Sequence, residues 1–242
     1  MNKIYVAGMG PGNRGQMTGE VKAVLEQAQV IIGYTVYIDL LRADYPDKEY
    51  LTTPMKQEEE RCRLAFLEAG KGKRVVMVCS GDAGVYGMAG LMLELQAEYP
   101  DCEIEVLPGV TAAMAGGALL GAPLMHDFAV ISLSDLLTPW AAIEKRILLA
   151  GEADFVLCLY NPSSRKRYDY LQKVCELLLP AAGPERICGI ASCIGREGQS
   201  CRVLTLGELR QTQVDMFTTV FIGNSRTYEE NGRMITPRGY RL

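Results

Sequence analysis

A short apolar segment that runs directly into a glycine-rich loop constrains the fold of this chain most. Val75–Cys79 is uniformly apolar, as expected of a strand buried on both faces, and residues 80–90 read Ser-Gly-Asp-Ala-Gly-Val-Tyr-Gly-Met-Ala-Gly. Glycines at a strand end allow the backbone to approach a ligand closely. The segment therefore predicts an α/β protein with a ligand at this edge of a sheet. Tight turns and close helix packing are the alternative explanation of the glycines.

Two other apolar segments in the same half of the chain end in similar loops. Ile4–Ala7 leads into Gly8–Gly12, and Ile104–Leu107 leads into Pro108–Ala113. Helical patterns separate the strand candidates, and this alternation predicts a mainly parallel sheet covered on both faces. The three strand ends are expected to converge.

The first of these loops is a poor match to a dinucleotide-binding fingerprint. Pro11 removes an N–H donor where that motif needs a flexible residue. No acidic residue ends the second strand at Val30-Ile31-Ile32-Gly33 to accept a ribose hydroxyl. NAD binding is therefore the weaker interpretation.

The pattern starts afresh after residues 121–123. Strands are predicted at Phe128–Ser132 and Phe155–Tyr160, and a helix over Tyr168–Leu179 that Pro180 stops. We therefore expect two α/β domains, residues 1–120 and 121–242, with mainly parallel sheets and a ligand cleft between them.

The composition of the chain bears on which partners and which cellular location are expected. A formal net charge of −4 gives no general basic field, so nucleic acid is not an expected partner. The eight cysteines are scattered without a C-x-x-C pair, as in a reduced protein. No uncharged segment is long enough to span a membrane, and a cytoplasmic location is expected.

The order of the glycine loops resembles that of the tetrapyrrole (class III) methyltransferases that use S-adenosylmethionine. The resemblance covers nearly the whole chain. Residues 121–128 (Gly-Ala-Pro-Leu-Met-His-Asp-Phe), 132–140 (Ser-Leu-Ser-Asp-Leu-Leu-Thr-Pro-Trp) and 234–240 (Met-Ile-Thr-Pro-Arg-Gly-Tyr) look like segments of the branch that methylates C17 and contracts the ring in cobalamin synthesis.

The resemblance implies two α/β domains that fold around the cofactor, and a homodimer. It carries cofactor contacts onto nine positions: Pro11, Ser80, Gly81, Asp82, Val85, Thr111, Ala112, Tyr160 and Gly195. Pro11 would flank the site, the next four would contact the methionine and ribose, Thr111 and Ala112 would lie by the carboxylate or sulfonium, and the last two would border the adenine. A carboxylate such as Asp82 suits a sulfonium cation, and N–H groups at glycine turns suit a carboxylate.

Ring contraction requires a proton-transfer group near the substrate. His126 is the only histidine in the chain, and Asp127 beside it can set its basicity. A solvated or capping histidine is the alternative. Ser132, Ser134 and Asp135 are candidates for hydrogen bonds to the substrate, with helix capping as the alternative. The basic run Arg165-Lys166-Arg167, with Arg165 first, is a candidate partner for substrate carboxylates, and a solvated helix start is its alternative.

The implied activity is methyl transfer from S-adenosylmethionine to C17 of cobalt-factor III, with ring contraction and lactone formation toward cobalt-precorrin-4. S-adenosylhomocysteine is the second product. Because no His/Cys/Asp cluster has metal-ligand spacing, we expect no protein-bound metal, and cobalt arrives within the substrate. The alternatives are metal-free precorrin-3B as substrate, or a non-catalytic tetrapyrrole carrier. Transient transfer of the product to neighbouring pathway enzymes is a further expectation.

Overall fold

The computed structural model describes residues 2–240, which form two compact units that divide between Thr111 and Ala112. In chain order the first unit comprises β1 (Asn2–Gly8), α1 (Gly19–Gln27), β2 (Val30–Tyr34), α2 (Thr35–Asp39), β3 (Glu49–Thr53), α3 (Glu58–Gly70), β4 (Val75–Cys79), α4 (Ala89–Leu95) and β5 (Cys102–Leu107). Its strands form one sheet in the order β3-β2-β4-β1-β5, and every pairing is parallel. The parallel sheet expected for this part of the chain is confirmed.

Both faces of this sheet are buried, and β4 shows why. Successive strand residues point to opposite faces. Val75 and Met77 therefore pack in the cluster that includes Phe66 of α3, while Val76 and Val78 pack in the cluster that includes Leu25 of α1. A strand with two covered faces needs an apolar residue at every position.

The second unit comprises α5 (Ala112–Leu120), β6 (Gly121–Ala122), β7 (Phe128–Ser132), α6 (Trp140–Glu152), β8 (Val156–Tyr160), α7 (Tyr170–Ala182), β9 (Ile187–Ser192), β10 (Ser200–Thr205), α8 (Leu206–Leu209), β11 (Thr218–Ile222), β12 (Tyr228–Glu230) and β13 (Arg233–Ile235). Its main sheet has the order β10-β9-β11-β8-β7, and a small sheet has the order β12-β13-β6. Helix α5 lies close to the main sheet: a Cβ on Gly116 would stand 3.0 Å from Cζ of Phe221. This contact places α5 with the second unit, whereas the sequence-based boundary after residue 120 stays a prediction.

The second main sheet differs from the expected mainly parallel arrangement. Only the β7–β8 pairing is parallel, while β8–β11, β11–β9 and β9–β10 are antiparallel. The short turn over residues 193–199 joins β9 to β10 directly, and a turn of that length permits only antiparallel pairing. Strand β11 then enters between β8 and β9.

Two further features bear on the sequence-based expectations. Pro180 does not stop α7, which continues to Ala182 with Gly183 (φ +74°) as its C-terminal cap. Pro180 cannot donate to the carbonyl of Glu176, and the helix continues for only two more residues after it. Among the described residues, no helix is both long and apolar enough to cross a membrane.

Candidate functional site

The three glycine loops of the first unit lie side by side at the carboxyl ends of β1, β4 and β5. Met9 N–H donates to the Cys79 carbonyl at 2.9 Å, and Gly10 and Gly81 exchange backbone hydrogen bonds of 3.0 and 2.8 Å. A Cβ on Gly8 would lie 2.7 Å from Gly109 N and 2.7 Å from the Gly81 oxygen. The predicted convergence of the three strand ends is confirmed.

Asp82 joins two of these loops through its carboxylate. Oδ1 accepts from Gly84 N–H at 2.8 Å and from Val85 N–H at 3.1 Å, while Oδ2 accepts from Gly109 N–H at 2.8 Å. Hydrogen bonds from N–H groups to a charged oxygen are among the stronger ones in proteins. Asp82 therefore fixes the loop conformation, a role that the spacing of residues along the chain does not reveal.

The glycines of residues 80–90 do not all serve the same purpose. Gly81 is buried with φ +69°, a conformation that favours glycine. A Cβ on Gly87 would collide with the carbonyl group of Ala83 in the same loop, so glycine permits the turn itself. Gly90 already belongs to α4, and a Cβ there would meet open space. Of residues 80–90, therefore, only the first few are still candidates to face a ligand.

The cofactor-site candidates of the first unit lie around the glycine junction, the place where the loops after β1, β4 and β5 meet. Pro11 is buried directly after Gly10, and Ser80, Asp82 and Val85 are half-buried on the loop after β4. Thr111, also half-buried, follows two residues after Gly109. The N–H groups of Gly81 and Val85 already donate within the protein, and the Gly81 carbonyl already accepts from Gly10 N–H, so Val85 is left to offer its apolar side chain.

In the second unit, Tyr160 caps the helix that Ala112 begins. The phenolic oxygen of Tyr160, at the end of β8, accepts from Ala113 N–H at 2.6 Å and satisfies one of the free donors of the first helical turn. Gly195 lies in the turn between β9 and β10 with φ +71°, and its N–H donates to Oε1 of Gln199 at 2.8 Å. Gly195 thus shapes a turn that Gln199 closes.

His126 and Asp127 lie on an exposed segment between β6 and β7. Nδ1 of His126 accepts from Asp127 N–H at 2.9 Å and stands 3.5 Å from the Asp127 carboxylate. The His126 side chain is 41% exposed, so it has access to solvent and to an incoming ligand. The hydrogen bond to Nδ1 in the neutral ring places the proton on Nε2.

Ser132 and Ser134 take part in a hydrogen-bond network with Asn161, which the sequence analysis did not single out, and with Arg167 of the predicted basic run. Oγ of Ser132 accepts from Ser134 N–H at 3.2 Å and from Nδ2 of Asn161 at 2.9 Å. Oγ of Ser134 accepts from Nη1 of Arg167 at 2.7 Å. Arg165 is exposed, and within residues 2–240 the structure gives its guanidinium no hydrogen bond or ion pair.

The same network holds an acidic group. Asp135 accepts from the Tyr170 hydroxyl at 2.6 Å and lies 3.4 Å from Nη1 of Arg167. The Tyr170 hydrogen bond, with Arg167 adding to it, holds the pKa of Asp135 below its usual range. The same hydrogen bond raises the pKa of Tyr170. The carboxylate is therefore charged at neutral pH and the phenol is protonated.

Neither a surface groove nor a metal-ligand cluster offers an alternative functional site among the described residues. A groove of about 550 Å³ is lined by Lys56, Gln57, Glu59, Glu60, Arg63, Leu64 and Leu67, none of which is a predicted site residue. Over the part of the chain that the structure describes, no three His, Cys, Asp or Glu side chains are grouped closely enough to hold a metal ion.

Sequence comparisons identify relatives over the whole chain. The family model of tetrapyrrole (corrin/porphyrin) methylases matches residues 3–210. A Salmonella typhimurium protein named probable cobalt-factor III C(17)-methyltransferase is 48% identical over 99% of this chain and 100% of that protein. A Sinorhizobium protein named precorrin-3B C(17)-methyltransferase is 41% identical over 98% of this chain and 96% of its own length.

Solved structures agree with the sequence relatives. The methyltransferase CobJ has a TM-score of 0.90 and 36% identity, covering 98% of this chain and 100% of that one. A Thermus thermophilus uroporphyrin-III C-methyltransferase complexed with S-adenosyl homocysteine has a TM-score of 0.70 at 22% identity, covering 91% and 92%, and it shares the fold. The predicted α/β fold and family are confirmed. This chain belongs to the tetrapyrrole (corrin/porphyrin) methylases, which use S-adenosylmethionine.

Proposed function

We propose that this protein transfers a methyl group from S-adenosylmethionine to C17 of cobalt-factor III, with ring contraction and lactone formation toward cobalt-precorrin-4. The observation that carries the proposal is the full-length match, at 48% identity, to a protein named for that reaction. The proposal includes a homodimer in the cytoplasm that passes its product to the next enzyme.

Precorrin-3B is the second candidate substrate. The Sinorhizobium relative is named for it and is 41% identical over nearly the same length. The two candidates differ in the metal that the macrocycle carries. In this proposal cobalt enters the reaction within the substrate.

The first unit fits the sulfonium and amino-acid part of the cofactor. When bound, S-adenosylmethionine supplies an electrophilic methyl group on a sulfonium. Because the N–H groups of Gly81, Val85 and Gly109 already donate within the protein, they are not offered to an anion, and the Asp82 carboxylate lies among them. Such a surface favours a cation over an anion. We assign Pro11, Ser80 and Thr111 to the same contact region.

The second unit supplies the remaining proposed cofactor contacts. Ala112 begins α5, Tyr160 holds the first turn of that helix, and Gly195 presents a turn with no side chain. Methyl transfer requires alignment of carbon, sulfur and nucleophile at about 3 to 3.5 Å more than it requires acid or base help. The role of these residues is therefore orientation.

We assign proton transfer during ring contraction to His126, with Asp127 as its partner. The imidazole is accessible. To accept the proton of the substrate hydroxyl at Nε2, the neutral ring must carry its own proton on Nδ1, which lies 3.5 Å from the Asp127 carboxylate. Asp127 lies close enough to stabilise the imidazolium that forms. Ser132, Ser134 and Arg165 are the proposed contacts to the substrate, by hydrogen bonds and by charge to its carboxylates.

A comparison of two substrates tests the assignment. The pure protein is incubated anaerobically with S-adenosylmethionine and either cobalt-factor III or precorrin-3B, and the initial rate of S-adenosylhomocysteine release is measured. A higher kcat/KM for cobalt-factor III is expected. A higher value for precorrin-3B would transfer the assignment to the metal-free route, and no release from either, with S-adenosylhomocysteine still bound, would indicate a carrier.

A further inference from the structure

The Arg167 guanidinium joins two loops of the second unit that follow neighbouring strands. Nη1 donates to Oγ of Ser134 at 2.7 Å and lies 3.4 Å from Oδ1 of Asp135, in the segment after β7. Nε donates to Oγ of Ser164 at 3.1 Å, in the segment after β8. The side chain is only 13% exposed. An arginine fork held on two sides in this way is largely fixed in one conformation.

Two more hydrogen bonds connect the same loops. Tyr170 at the start of α7 donates to Oδ2 of Asp135 at 2.6 Å. Nδ2 of Asn161 donates to Oγ of Ser132 at 2.9 Å, and Asn161 adopts a φ of +52°, which is uncommon outside glycine. Because β7 and β8 are parallel with Ser132 opposite Tyr160, both loops leave the sheet at the same edge.

The surface that these loops carry is unusual for a solvated turn. Leu137 is 98% exposed, Tyr168 is 80% exposed and Leu136 is 60% exposed. Arg165 beside them is exposed and unpaired within residues 2–240. Large apolar side chains beside a free cation suit a flat apolar ring system that bears carboxylates.

Arg167 also sets the donor direction of a proposed substrate contact. A serine hydroxyl has one proton and two lone pairs. Because Arg167 donates to Ser134, the Ser134 proton is directed to another acceptor. An acceptor on the substrate, such as a carboxylate or carbonyl oxygen, meets that requirement.

We propose that Arg167 is a positioning residue: through Ser134, Asp135 and Ser164 it holds the segments 132–138 and 161–168 in the one conformation that receives the tetrapyrrole. The inference rests on the proposed function for the identity of the ligand. Arg167 itself does not contact the reacting atoms. Its loss therefore weakens substrate binding and leaves cofactor binding intact.

The test compares Arg167→Gln, Arg167→Lys and Tyr170→Phe with a control, Arg210→Gln. Arg210 makes a similar contact to a carboxylate at a more exposed position, donating to Oε1 of Glu176 at 3.0 Å. For Arg167→Gln we expect KM for the tetrapyrrole to rise at least about tenfold, equivalent to about 1.4 kcal/mol, with kcat and S-adenosylhomocysteine affinity within about twofold. Arg167→Lys retains the charge but not the fork, so it is expected to rescue KM only in part.

Hydrogen–deuterium exchange supplies a readout that does not depend on turnover. Exchange over residues 132–138 and 161–168 is expected to rise in Arg167→Gln and Tyr170→Phe and to stay unchanged in Arg210→Gln. Unchanged exchange and unchanged KM in Arg167→Gln would overturn the inference. Faster exchange in a protein whose wild type binds no tetrapyrrole would retain the loop-holding role and reject the proposed function instead.

Discussion

At the scale of single residues, Asp82 is the side chain on which the glycine junction depends. Its carboxylate accepts three backbone N–H groups from two different loops. The sequence shows one charge in a glycine loop, and we read it as a ligand contact. It could not show that Gly109, far along the chain, donates to the same carboxylate, because no periodic pattern encodes a hydrogen bond between loops.

Asp82→Asn tests this role. The amide retains one acceptor oxygen and replaces the other by a donor, so either the pair of N–H groups on Oδ1 or the Gly109 bond is lost. We expect the free energy of unfolding to fall by about 1 to 3 kcal/mol. Urea unfolding measures the change, with Asp47→Asn on an exposed turn as the matched control. Equal stabilities for Asp82→Asn and the control would contradict the account.

The contribution of Glu68 to the free energy of unfolding is expected to decrease at acidic pH. Hydrogen bonds from Lys71 and Lys73 hold its pKa below the usual range, and its side chain is only 9% exposed. A carboxyl with a lowered folded pKa contributes stability above its unfolded pKa of about 4.3, and that contribution is lost as the pH falls through the folded value.

Glu68→Gln therefore lowers the free energy of unfolding more at pH 7 than at pH 3. Urea titrations of wild type and variant at both pH values measure the difference. A difference between the two proteins that is the same at both pH values would show that the pKa of Glu68 does not change on folding.

At the scale of elements, the sequence predicted strands that are continuous runs of mostly apolar residues. Val75–Cys79 and Phe128–Ser132 have the predicted bounds. Strand β3 (Glu49–Thr53) was missed because it lies at a sheet edge and contains Glu49 and two threonines instead of an apolar run. The antiparallel pairing in the second sheet was also missed, since apolar strands have the same pattern in either direction.

The close approach of three strand ends predicts opposite effects for two glycine substitutions. In Gly8→Ala the new Cβ would stand 2.7 Å from backbone atoms of two other loops, so we expect a loss of about 1 to 3 kcal/mol. Gly90→Ala meets open space within α4 and is expected to gain about 0.5 kcal/mol. Thermal unfolding measures both, and a loss in Gly90→Ala as large as that in Gly8→Ala would refute the assignment.

At the scale of the whole molecule, six of the eight cysteines are buried in the two units. Burial raises the pKa of Cys62, Cys158 and Cys175 to about 12 and that of Cys79 to about 11, so these thiols are protonated at neutral pH. The thiolate is the reactive form. Several of these cysteines lie in apolar runs of the sequence, where cysteine packs as a small hydrophobic residue.

Alkylation therefore counts the accessible thiols. With native protein at pH 8, intact mass is expected to show label at the exposed Cys201 and the half-buried Cys193 only, and at all eight after denaturation. Label at a third site in the native protein would show that one of the cores opens.

The measurement that tests the central claim most directly is a mass spectrum of the tetrapyrrole after anaerobic incubation with cobalt-factor III and methyl-labelled S-adenosylmethionine. The account predicts one labelled methyl group on a ring-contracted lactone that still contains cobalt. Unlabelled cobalt-factor III, recovered from a protein that binds S-adenosylhomocysteine, would contradict it.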